Sequence, residues 1–410
     1  MSELRPRSNR SATVAGIARH GQLKKTGPWA TILKFVGAAL VVVLVSGASV
    51  AAIVVNQITD QVTTVTLVGE TEGPPPSIGA YSGGFNVLIV GSDQCEVATG
   101  CKDRTANLND VTMLLHVSED QTNAVAVSFP RDLVVPIPSC PREDGSGNNS
   151  SMSARPINET LYYGGLPCTV LTVEALTGLD IQFAGLITFN GVIKMGDAVG
   201  GVPVCVNGPI DDKYTGLKID AAGTYVMGGQ DALNFLRTRH GVGDGSDLTR
   251  ISSQQVYLSS LVRTLKSSET LGDPLKLYNL AQAATQSMTL SQNFSNLDTL
   301  VSIGLALKDI PLESVTFVQY PGTTGVGGVY TGKVAPVTAK ADELFSLIAA
   351  DTPFALAGVG DDRGSEADPN APVEPVDPAA TADPAAVDPL TVLDINGQTA
   401  ADYTCSVANN

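Results

Sequence analysis

The sequence contains few of the residues on which zinc sites and many hydrolases depend. Among 410 residues there are three histidines, one tryptophan and six cysteines, and no two cysteines have the C-x-x-C spacing. A zinc site is therefore not expected, because structural zinc sites use clustered cysteine and histidine ligands. The chain also lacks the G-x-S-x-G and G-x-x-x-x-G-K-[ST] motifs, and three histidines leave little scope for a Ser-His-Asp triad.

Positive charge is scarce outside the first 34 residues. The formal net charge is −16. Seven of the 25 Lys and Arg residues precede residue 35 with a single acid, so this head carries +6 and the rest of the chain −22. The acidic body argues against a nucleic-acid partner. A basic head on an acidic body is instead typical of a membrane protein whose N-terminus stays cytoplasmic.

One long uncharged run follows the basic head. Residues 35–55 are 21 residues without a charged side chain, which as a helix can cross a hydrocarbon layer of about 30 Å. We predict a single transmembrane helix in the cell membrane, with residues 1–34 as a cytoplasmic basic segment and the larger part of the chain extracellular. A cleaved signal peptide is the alternative, although its apolar region is usually shorter.

Composition divides the outer part of the chain into four segments. The Gly- and Pro-rich end of residues 56–84 predicts an extracellular stalk. Residues 85–355 alternate between strand-like and helix-like stretches and predict the main domain. The Pro-, Asp- and Ala-rich residues 356–389 predict a disordered linker. A short C-terminal segment, residues 390–410, then carries Cys405.

All six cysteines follow the predicted membrane span. An even number of cysteines in an oxidising compartment predicts three disulfides, for which about 15 pairings are possible in principle. Buried free thiols are the alternative. Proximity in the sequence favours Cys95–Cys101 and, less strongly, Cys140–Cys168. The pair that then remains is Cys205–Cys405.

Two apolar runs, at residues 111–118 and 124–129, predict consecutive strands. The polar stretch between them predicts a hairpin. Asp110 lies at the start of the first strand and Arg131 just after the second, at about the same number of residues from the turn. Antiparallel pairing therefore places Asp110 near Arg131.

A third apolar run, residues 86–90, predicts a buried strand that ends next to Asp93. Asp93 and Asp110 would then both lie at strand ends. Neighbouring carboxylates repel each other unless a cation lies between them, and hard oxygen ligands suit Mg²⁺ or Mn²⁺. The two acids are therefore candidate ligands of one such cation. A simple turn cap is the alternative for Asp93.

The run from residue 228 to residue 255 concentrates arginines and polar side chains. Arg237 and Arg239 would share a face if the chain is extended where the predicted helix ends. Asp247, Arg250 and Gln254 have the i, i+3, i+7 spacing of one helix face. The planar donors of arginine suit phosphate oxygens. A solvated helix end and an ordinary surface ion pair are the alternatives.

Seven motifs in order resemble those of the LytR-CpsA-Psr family, in its actinobacterial branch. They cover about residues 85–265 and are NVLIVGSD (86–93), NDVTMLLHVS (109–118), VSFPRDL (127–133), PINETLYYGG (156–165), DAVGGVPV (197–204), ALNFLRTRHGVGDGSD (232–247) and DLTRISSQQ (247–255). The resemblance implies an α/β domain with a mixed central β-sheet flanked by helices, preceded by one transmembrane helix. It also implies transfer of a glycopolymer phosphate from a polyprenyl-pyrophosphate carrier to a peptidoglycan hydroxyl, in cell-wall assembly.

The resemblance also assigns roles to eight residues of the expected active site. The metal-binding acids of the family correspond to Asp93 and Asp110. Its pyrophosphate-binding arginines correspond to Arg131, Arg237, Arg239 and Arg250. The acid and the glutamine that support these arginines correspond to Asp247 and Gln254. The implied cofactor is Mg²⁺ or Mn²⁺. The implied partners are the polyprenyl-pyrophosphate-linked glycan, peptidoglycan and the cell membrane.

Two positions depart from the family pattern, and both lose positive charge. Leu108 and Pro156 stand where an arginine and a lysine are frequent. These changes bear on rate or donor choice rather than on the fold. Two other functions stay open: a pyrophosphatase that uses water as acceptor, and a non-catalytic protein that binds or regulates the cell wall.

Overall fold

The computed structural model describes residues 62–70, 81–94, 107–266, 274–361, 363–372 and 390–409. The predicted membrane span at residues 35–55 and the predicted Cys95–Cys101 disulfide lie outside these residues. Within the described part of the chain, no helix combines the length and the apolarity that crossing a membrane requires.

An eight-stranded mixed sheet forms the centre of the domain. Three neighbouring strand pairs are parallel (residues 63–65 with 288–291, 183–187 with 85–92, and 124–129 with 315–319) and the other four are antiparallel. In spatial order the strands are β1 (Thr63–Val65), β14 (Met288–Ser291), β9 (Phe183–Ile187), β2 (Phe85–Ser92), β3 (Asn109–Val117), β4 (Ala124–Phe129), β15 (Val315–Gln319) and β21 (Gly397–Thr399).

Helices cover both faces of this sheet. The helices of the described residues are α1 (Thr160–Thr177), α2 (Phe189–Val199), α3 (Gly229–Arg237), α4 (Asp247–Lys266), α5 (Pro274–Ser287), α6 (Leu297–Lys308) and α7 (Thr338–Ala349). Along β2, Leu88 and Val90 pack in the cluster that contains α1 and α7, whereas Phe85 and Val87 pack in the cluster that contains α6. A strand buried on both faces must be apolar at successive positions, which explains the continuous run at residues 86–90. The expected mixed sheet flanked by helices is confirmed.

A second, four-stranded sheet packs against α3 and α4. Its spatial order is β13 (Gly223–Met227), β10 (Val202–Val206), β22 (Thr404–Ser406) and β19 (Ser365–Ala367). Cys205 and Cys405 lie opposite each other on adjacent strands, with Cα atoms 4.4 Å apart, and form a disulfide. A second disulfide joins Cys140 to Cys168. Both of these predicted pairings are confirmed.

Five short two-stranded pairs and three 3₁₀ turns complete the described elements. The turns are Ile157–Glu159, Leu312–Ser314 and Gly328–Tyr330. The pairs are β5 (Val134–Ile137) with β8 (Met152–Pro156), β6 (Cys140–Pro141) with β7 (Asn148–Asn149), β11 (Ile210–Asp212) with β12 (Leu217–Ile219), β16 (Gly322–Thr323) with β17 (Ala335–Pro336), and β18 (Phe354–Leu356) with β20 (Thr391–Leu393).

Two segments predicted to lie outside the domain contribute to it. Thr63–Val65, in the predicted stalk, is the edge strand β1 of the main sheet. The prediction of a disordered linker is wrong for residues 356–361 and 363–372. Leu356 pairs with Leu393 and Gly360 with Gly397, and Ser365–Ala367 pairs with the strand that contains Cys405. Their order comes from these partners rather than from their own composition. Residues 373–389 lie outside the described part.

Candidate active site

One edge of the main sheet collects the charged residues singled out in the sequence. Strand β2 is parallel to β9 and antiparallel to β3, which is in turn antiparallel to β4. The end of β2, the start of β3 and the end of β4 therefore lie at the same edge. These are the points from which Asp93, Asp110 and Arg131 project.

Asp110 occupies a β-bulge. Gly91 is opposite Val111 and Ser92 is opposite Asn109, so Asp110 is the extra residue of β3. Bulges re-aim side chains and are frequent beside active sites. Here Asp110 Oδ1 accepts a hydrogen bond from Arg131 Nη1 at 2.6 Å, which confirms the predicted proximity. Burial tends to raise the pKa of Asp110, but the positive charges of Arg250 and Arg131 outweigh it and lower this pKa below its ordinary value.

Asp93 is held by the backbone of the neighbouring strand end. Its N–H donates to the Leu108 carbonyl over 3.0 Å, and its Oδ1 accepts from the Leu108 N–H at 2.8 Å. Only 7% of Asp93 is exposed. Leu108 thus positions Asp93 through its main chain. These hydrogen bonds do not depend on the side chain at position 108, where the family pattern often has arginine.

Asp247, the first residue of α4, gathers three arginines. Its Oδ1 lies 2.6 Å from Arg250 Nη2, 3.1 Å from Arg239 Nη2 and 3.8 Å from Arg131 Nε. Its Oδ2 accepts a hydrogen bond from the Arg131 backbone N–H at 3.1 Å. An acid is also favoured at a helix N-terminus by the helix dipole. We call Asp110, Arg131, Arg239, Asp247 and Arg250 the arginine cluster.

The arginine cluster has more positive than negative charge. Three guanidinium groups face two carboxylates, and among the described atoms the buried Nε groups of Arg131 and Arg250 have no hydrogen-bond partner. Arg250 Nη2 also donates to the Asp110 carbonyl over 2.8 Å. Burial, and then repulsion from Arg250, lower the pKa of Arg239. An anion placed here would relieve that repulsion, so the geometry suits a phosphate group.

Arg237 and Gln254 take other positions. Helix α3 ends at Arg237, and Thr238 is extended, so the chain leaves the helix where the sequence predicted. The guanidinium carbon of Arg237 lies 4.1 Å from the ring centroid of Phe189, which follows the end of β9 at the same sheet edge. Gln254 Nε2 donates to the Leu236 carbonyl over 2.7 Å. Gln254 therefore fixes the last turn of α3, which carries Arg237.

The sequence did not single out Asp212, which fixes the backbone of Arg239. Asp212 is 1% exposed. Its Oδ2 accepts from Thr238 Oγ1 at 2.6 Å and from the Arg239 N–H at 3.1 Å, and its Oδ1 accepts from the Tyr214 N–H at 2.9 Å. Burial tends to raise the pKa of Asp212, but these hydrogen bonds outweigh it and lower the pKa below its ordinary value.

A lysine also joins the site from a distant part of the chain. Lys333 Nζ lies 2.5 Å from Asp132 Oδ1, and Asp132 Oδ2 lies 3.6 Å from Arg131 Nε. Lys333 thus offsets the negative charge of Asp132, so the arginine cluster keeps its one surplus positive charge. Arg155, next to the departure at Pro156, is instead 3.6 Å from Glu159.

The C-terminal residues hold the loop between Arg239 and Asp247. Gly243 donates its N–H to the Val407 carbonyl over 2.8 Å, and Asn409 donates its N–H to the Gly241 carbonyl over 3.0 Å. The Asn409 side chain donates to the His240 carbonyl at 2.9 Å. This tail, residues 407–409, therefore sets the path of the loop that connects Arg239 to Asp247, two members of the arginine cluster.

The two acids predicted as metal ligands fit a hard divalent cation by their chemistry. Both offer carboxylate oxygens, as Mg²⁺ and Mn²⁺ prefer, and they project from paired strand ends. Asp110 Oδ1 already accepts a hydrogen bond from the Arg131 side chain, and Asp93 Oδ1 accepts one from the Leu108 backbone N–H. Asp93 and Asp110 are therefore the residues that would hold such a cation, and Asp110 would do so while paired with Arg131.

Comparison with known proteins points to one family. The LytR_cpsA_psr family model matches residues 43–345. The cell wall biosynthesis protein LcpA of Corynebacterium glutamicum is 30% identical over 276 residues, 60% of this chain and 51% of LcpA, so the chain spans about half the length of that relative. The polyisoprenyl-teichoic acid–peptidoglycan teichoic acid transferase TagT of Bacillus subtilis is 27% identical over 244 residues, 58% of this chain and 68% of TagT.

A solved structure of this family has a similar fold. The LytR-Csp2A-Psr enzyme from Actinomyces oris superimposes with a TM-score of 0.52 over 70% of this chain and 96% of its own, at 20% sequence identity. The family model covers well over half of the 410 residues. The chain belongs to the LytR_cpsA_psr family.

Proposed function

We propose that this protein is a membrane-anchored extracellular phosphotransferase of cell-wall assembly. It moves a glycopolymer phosphate from a polyprenyl-pyrophosphate carrier to a hydroxyl of peptidoglycan. Family membership supports the class of reaction, and the name of the relative TagT describes a transfer from a polyisoprenyl-linked teichoic acid to peptidoglycan. The observation that carries the proposal is the convergence of three arginines on Asp247.

The arginine cluster suits a pyrophosphate better than a neutral substrate. Phosphate oxygens can balance its surplus positive charge and accept hydrogen bonds from the two Nε groups that lack a hydrogen-bond partner among the described atoms. In phosphoryl transfer, charge spreads over those oxygens in the transition state, and preorganised donors stabilise it without reorganisation. We assign Arg131, Arg239 and Arg250 to this role. Arg237, over Phe189 at the same sheet edge, extends the positive surface.

The bond changes follow from the leaving group. The acceptor hydroxyl oxygen forms a bond to the phosphorus that carries the glycan, and the bond from that phosphorus to the bridging oxygen breaks. Polyprenyl monophosphate leaves with the bridging oxygen. The glycan is then joined to peptidoglycan through a phosphodiester.

Asp110 is the better candidate for the proton acceptor. Asp247 has both carboxylate oxygens engaged by arginines, so it acts as a positioning residue. The low pKa of Asp110 comes from Arg250 and Arg131. An incoming pyrophosphate shares the charge of these arginines and so raises the proton affinity of Asp110, whereas the cation proposed below would lower it. The proton affinity of Asp110 in the complex is set by both charges.

We propose that Asp93 and Asp110 hold the divalent cation. When bound, Mg²⁺ or Mn²⁺ would neutralise charge on the phosphate oxygens. The chain's own contribution is to hold both acids at one sheet edge: the Leu108 backbone fixes Asp93, and the bulge of β3 directs Asp110.

The test of the function is product identity. Full-length protein in detergent is incubated with a polyprenyl-pyrophosphate-linked glycan, Mg²⁺ and peptidoglycan, and the products are analysed by mass spectrometry. We expect glycan joined to peptidoglycan through phosphate, together with polyprenyl monophosphate. Release of free phosphorylated glycan in place of the joined product would identify a pyrophosphatase. Binding of the donor without turnover would indicate a binding or regulatory protein.

The proposed location has a separate test. The basic head and the uncharged run at residues 35–55 support an anchor with a cytoplasmic N-terminus. Protease added to intact cells or spheroplasts is expected to digest residues 85–355 and to spare residues 1–34. Protection of the large domain would contradict this topology.

A further inference from the structure

An exposed aromatic side chain lies beside the loop that follows Arg239. Tyr214, between β11 and β12, is 79% exposed, the largest fraction among the large hydrophobic side chains of the described residues. Its ring centroid lies 4.4 Å from that of His240, and the ring planes are inclined by 35°. We call these two rings the Tyr214–His240 platform. One face of Tyr214 is supported by the imidazole, and most of the ring surface stays in solvent.

The platform has a fixed position relative to the arginine cluster. The buried carboxylate of Asp212 accepts hydrogen bonds from the backbone N–H groups of both Tyr214 and Arg239. His240 is the residue after Arg239, and its carbonyl accepts from the Asn409 side chain. Single exposed aromatic residues on mobile loops need no explanation. Here, however, one buried acid holds the exposed ring and an arginine of the site in the same framework.

A polar cavity opens next to the platform. It has a volume of about 340 Å³ and is lined, among others, by Asp211, Lys218, Asp220, His240 and Asn409. Lys218 Nζ and Asp220 Oδ1 are 3.8 Å apart. The cavity therefore offers hydrogen-bond donors and acceptors of both signs, without the surplus positive charge found around Asp247.

These features together define a ligand class. A saccharide ring has C–H faces that pack on aromatic rings, and hydroxyl groups that pair with carboxylates, amines and amides. A phosphate would be repelled by Asp211 and Asp220, and a lipid chain would leave the charged groups of the cavity unsatisfied. We propose that the Tyr214–His240 platform and this cavity form a saccharide-binding subsite. It binds a sugar of the glycan chain near the reacting phosphate, in the donor or in the acceptor.

This inference rests on the proposed function for its role, but saccharide binding can be measured without turnover. The probes are an N-acetylglucosamine tetrasaccharide and a muropeptide, titrated by calorimetry into full-length protein in detergent. For Tyr214→Ala we expect the Kd of at least one probe to rise about tenfold, the size expected for the loss of one aromatic contact. Tyr214→Phe keeps the ring and should bind like the wild type.

A matched control separates the platform from a general effect of removing a tyrosine. Tyr225 on β13 is 37% exposed, and its hydroxyl donates to the Ala221 carbonyl at 3.0 Å. Tyr225→Ala should keep the affinity of the wild type for both probes. Arg131→Ala should also keep it, because Arg131 belongs to the arginine cluster and not to the subsite.

Kinetics then locate the sugar. If the subsite serves the donor, Tyr214→Ala raises the KM of a polyprenyl-pyrophosphate disaccharide and leaves the KM of the muropeptide acceptor unchanged. If it serves the acceptor, the KM of the muropeptide rises instead. Equal saccharide affinity in Tyr214→Ala and wild type, or no measurable binding of either probe by the wild type, would overturn the proposal. Absence of turnover in the wild type would count against the proposed function only, because the titrations still decide on the subsite.

Discussion

Arg131 and Asp110 form an ion pair across the β3–β4 hairpin, with Nη1 and Oδ1 separated by 2.6 Å. The same arginine donates its backbone N–H to Asp247. A phosphate that approaches Arg131 therefore competes with Asp110 for the guanidinium. Anion binding and the ionisation of Asp110 are consequently coupled through one side chain.

Arg131→Ala should lower turnover strongly and leave the fold intact. Loss of a comparable preorganised donor costs about 10²–10³ in kcat, whereas Arg131 contributes little to the apolar core. Arg131→Lys should also be impaired, because an ammonium group cannot reproduce the planar fork. Turnover and thermal midpoint are measured for both variants. Arg142→Ala is the control, since this arginine lies on the surface and donates to Asn149. Turnover of Arg131→Ala close to that of the wild type would remove Arg131 from the site.

Asp247→Asn should lower both stability and turnover. Removing one partner of a buried ion pair costs about 3–5 kcal/mol, because the remaining charge is left uncompensated, and here three arginines lose their common carboxylate. Asp220→Asn is the matched control: its pair with Lys218 is solvent-exposed and is expected to contribute about 0–1 kcal/mol. Denaturant unfolding compares the two variants. Equal, small losses of stability would show that Asp247 does not organise the arginines.

The proposed cation should be needed for turnover and should depend on both acids. We expect a chelator to abolish turnover and added Mg²⁺ to restore it. Asp93→Asn and Asp110→Asn should each weaken Mn²⁺ binding, measured by electron paramagnetic resonance, because each removes one negative charge from the ligand pair. Turnover that persists in the chelator, or unchanged Mn²⁺ affinity in both variants, would contradict the metal assignment.

Deletion of residues 407–410 should reduce kcat more than it affects secondary structure. The deletion removes three hydrogen bonds to the loop at residues 240–246. Displacement of a positioned group by about 1 Å can cost on the order of 100-fold in rate. Asn409→Ala removes only the bond to the His240 carbonyl and should give a smaller loss. Rates and circular dichroism are compared, and full activity of the deleted protein would show that the loop keeps its path without the tail.

Asp212→Asn should destabilise the protein in a pH-dependent way. The pKa of Asp212 is lowered in the folded state relative to 3.8, so its ionised form stabilises the fold above that value. This contribution is lost as the pH falls through the lowered, folded-state pKa. Loss of such buried hydrogen bonds costs about 1–3 kcal/mol at neutral pH. The difference in thermal midpoint between variant and wild type should therefore shrink from pH 7 to pH 3. A constant difference would contradict the role of the charge.

Features encoded by local pattern were predictable from the sequence. The apolar runs at residues 111–118 and 124–129 correspond to β3 and β4, so the pairing of Asp110 with Arg131 followed from symmetry about the turn. The spacing of Asp247 and Arg250 placed them on one helix face, where they contact each other.

Features that depend on distant partners were not predictable. The sequence around Asp212 does not distinguish it from a solvent-exposed acid. Its role depends on hydrogen bonds from Thr238 and Arg239, which follow an intervening hairpin and helix in the chain. Lys333 lies 201 residues from Asp132. The linker prediction failed at residues 356–361 and 363–372 for the same reason, since a short strand takes its order from the strand beside it.

The pairing of β10 with β22 sets an order of events during synthesis. Strand β22 enters its sheet between β10 and β19, 200 residues after Cys205. A ribosome must complete residue 406 before β10 acquires this neighbour, and residue 409 before the loop beyond Arg239 gains its last hydrogen bonds. Contacts between such distant parts of a chain form late. The loop beyond Arg239 therefore cannot reach its final path in a nascent chain that still lacks residues 407–409.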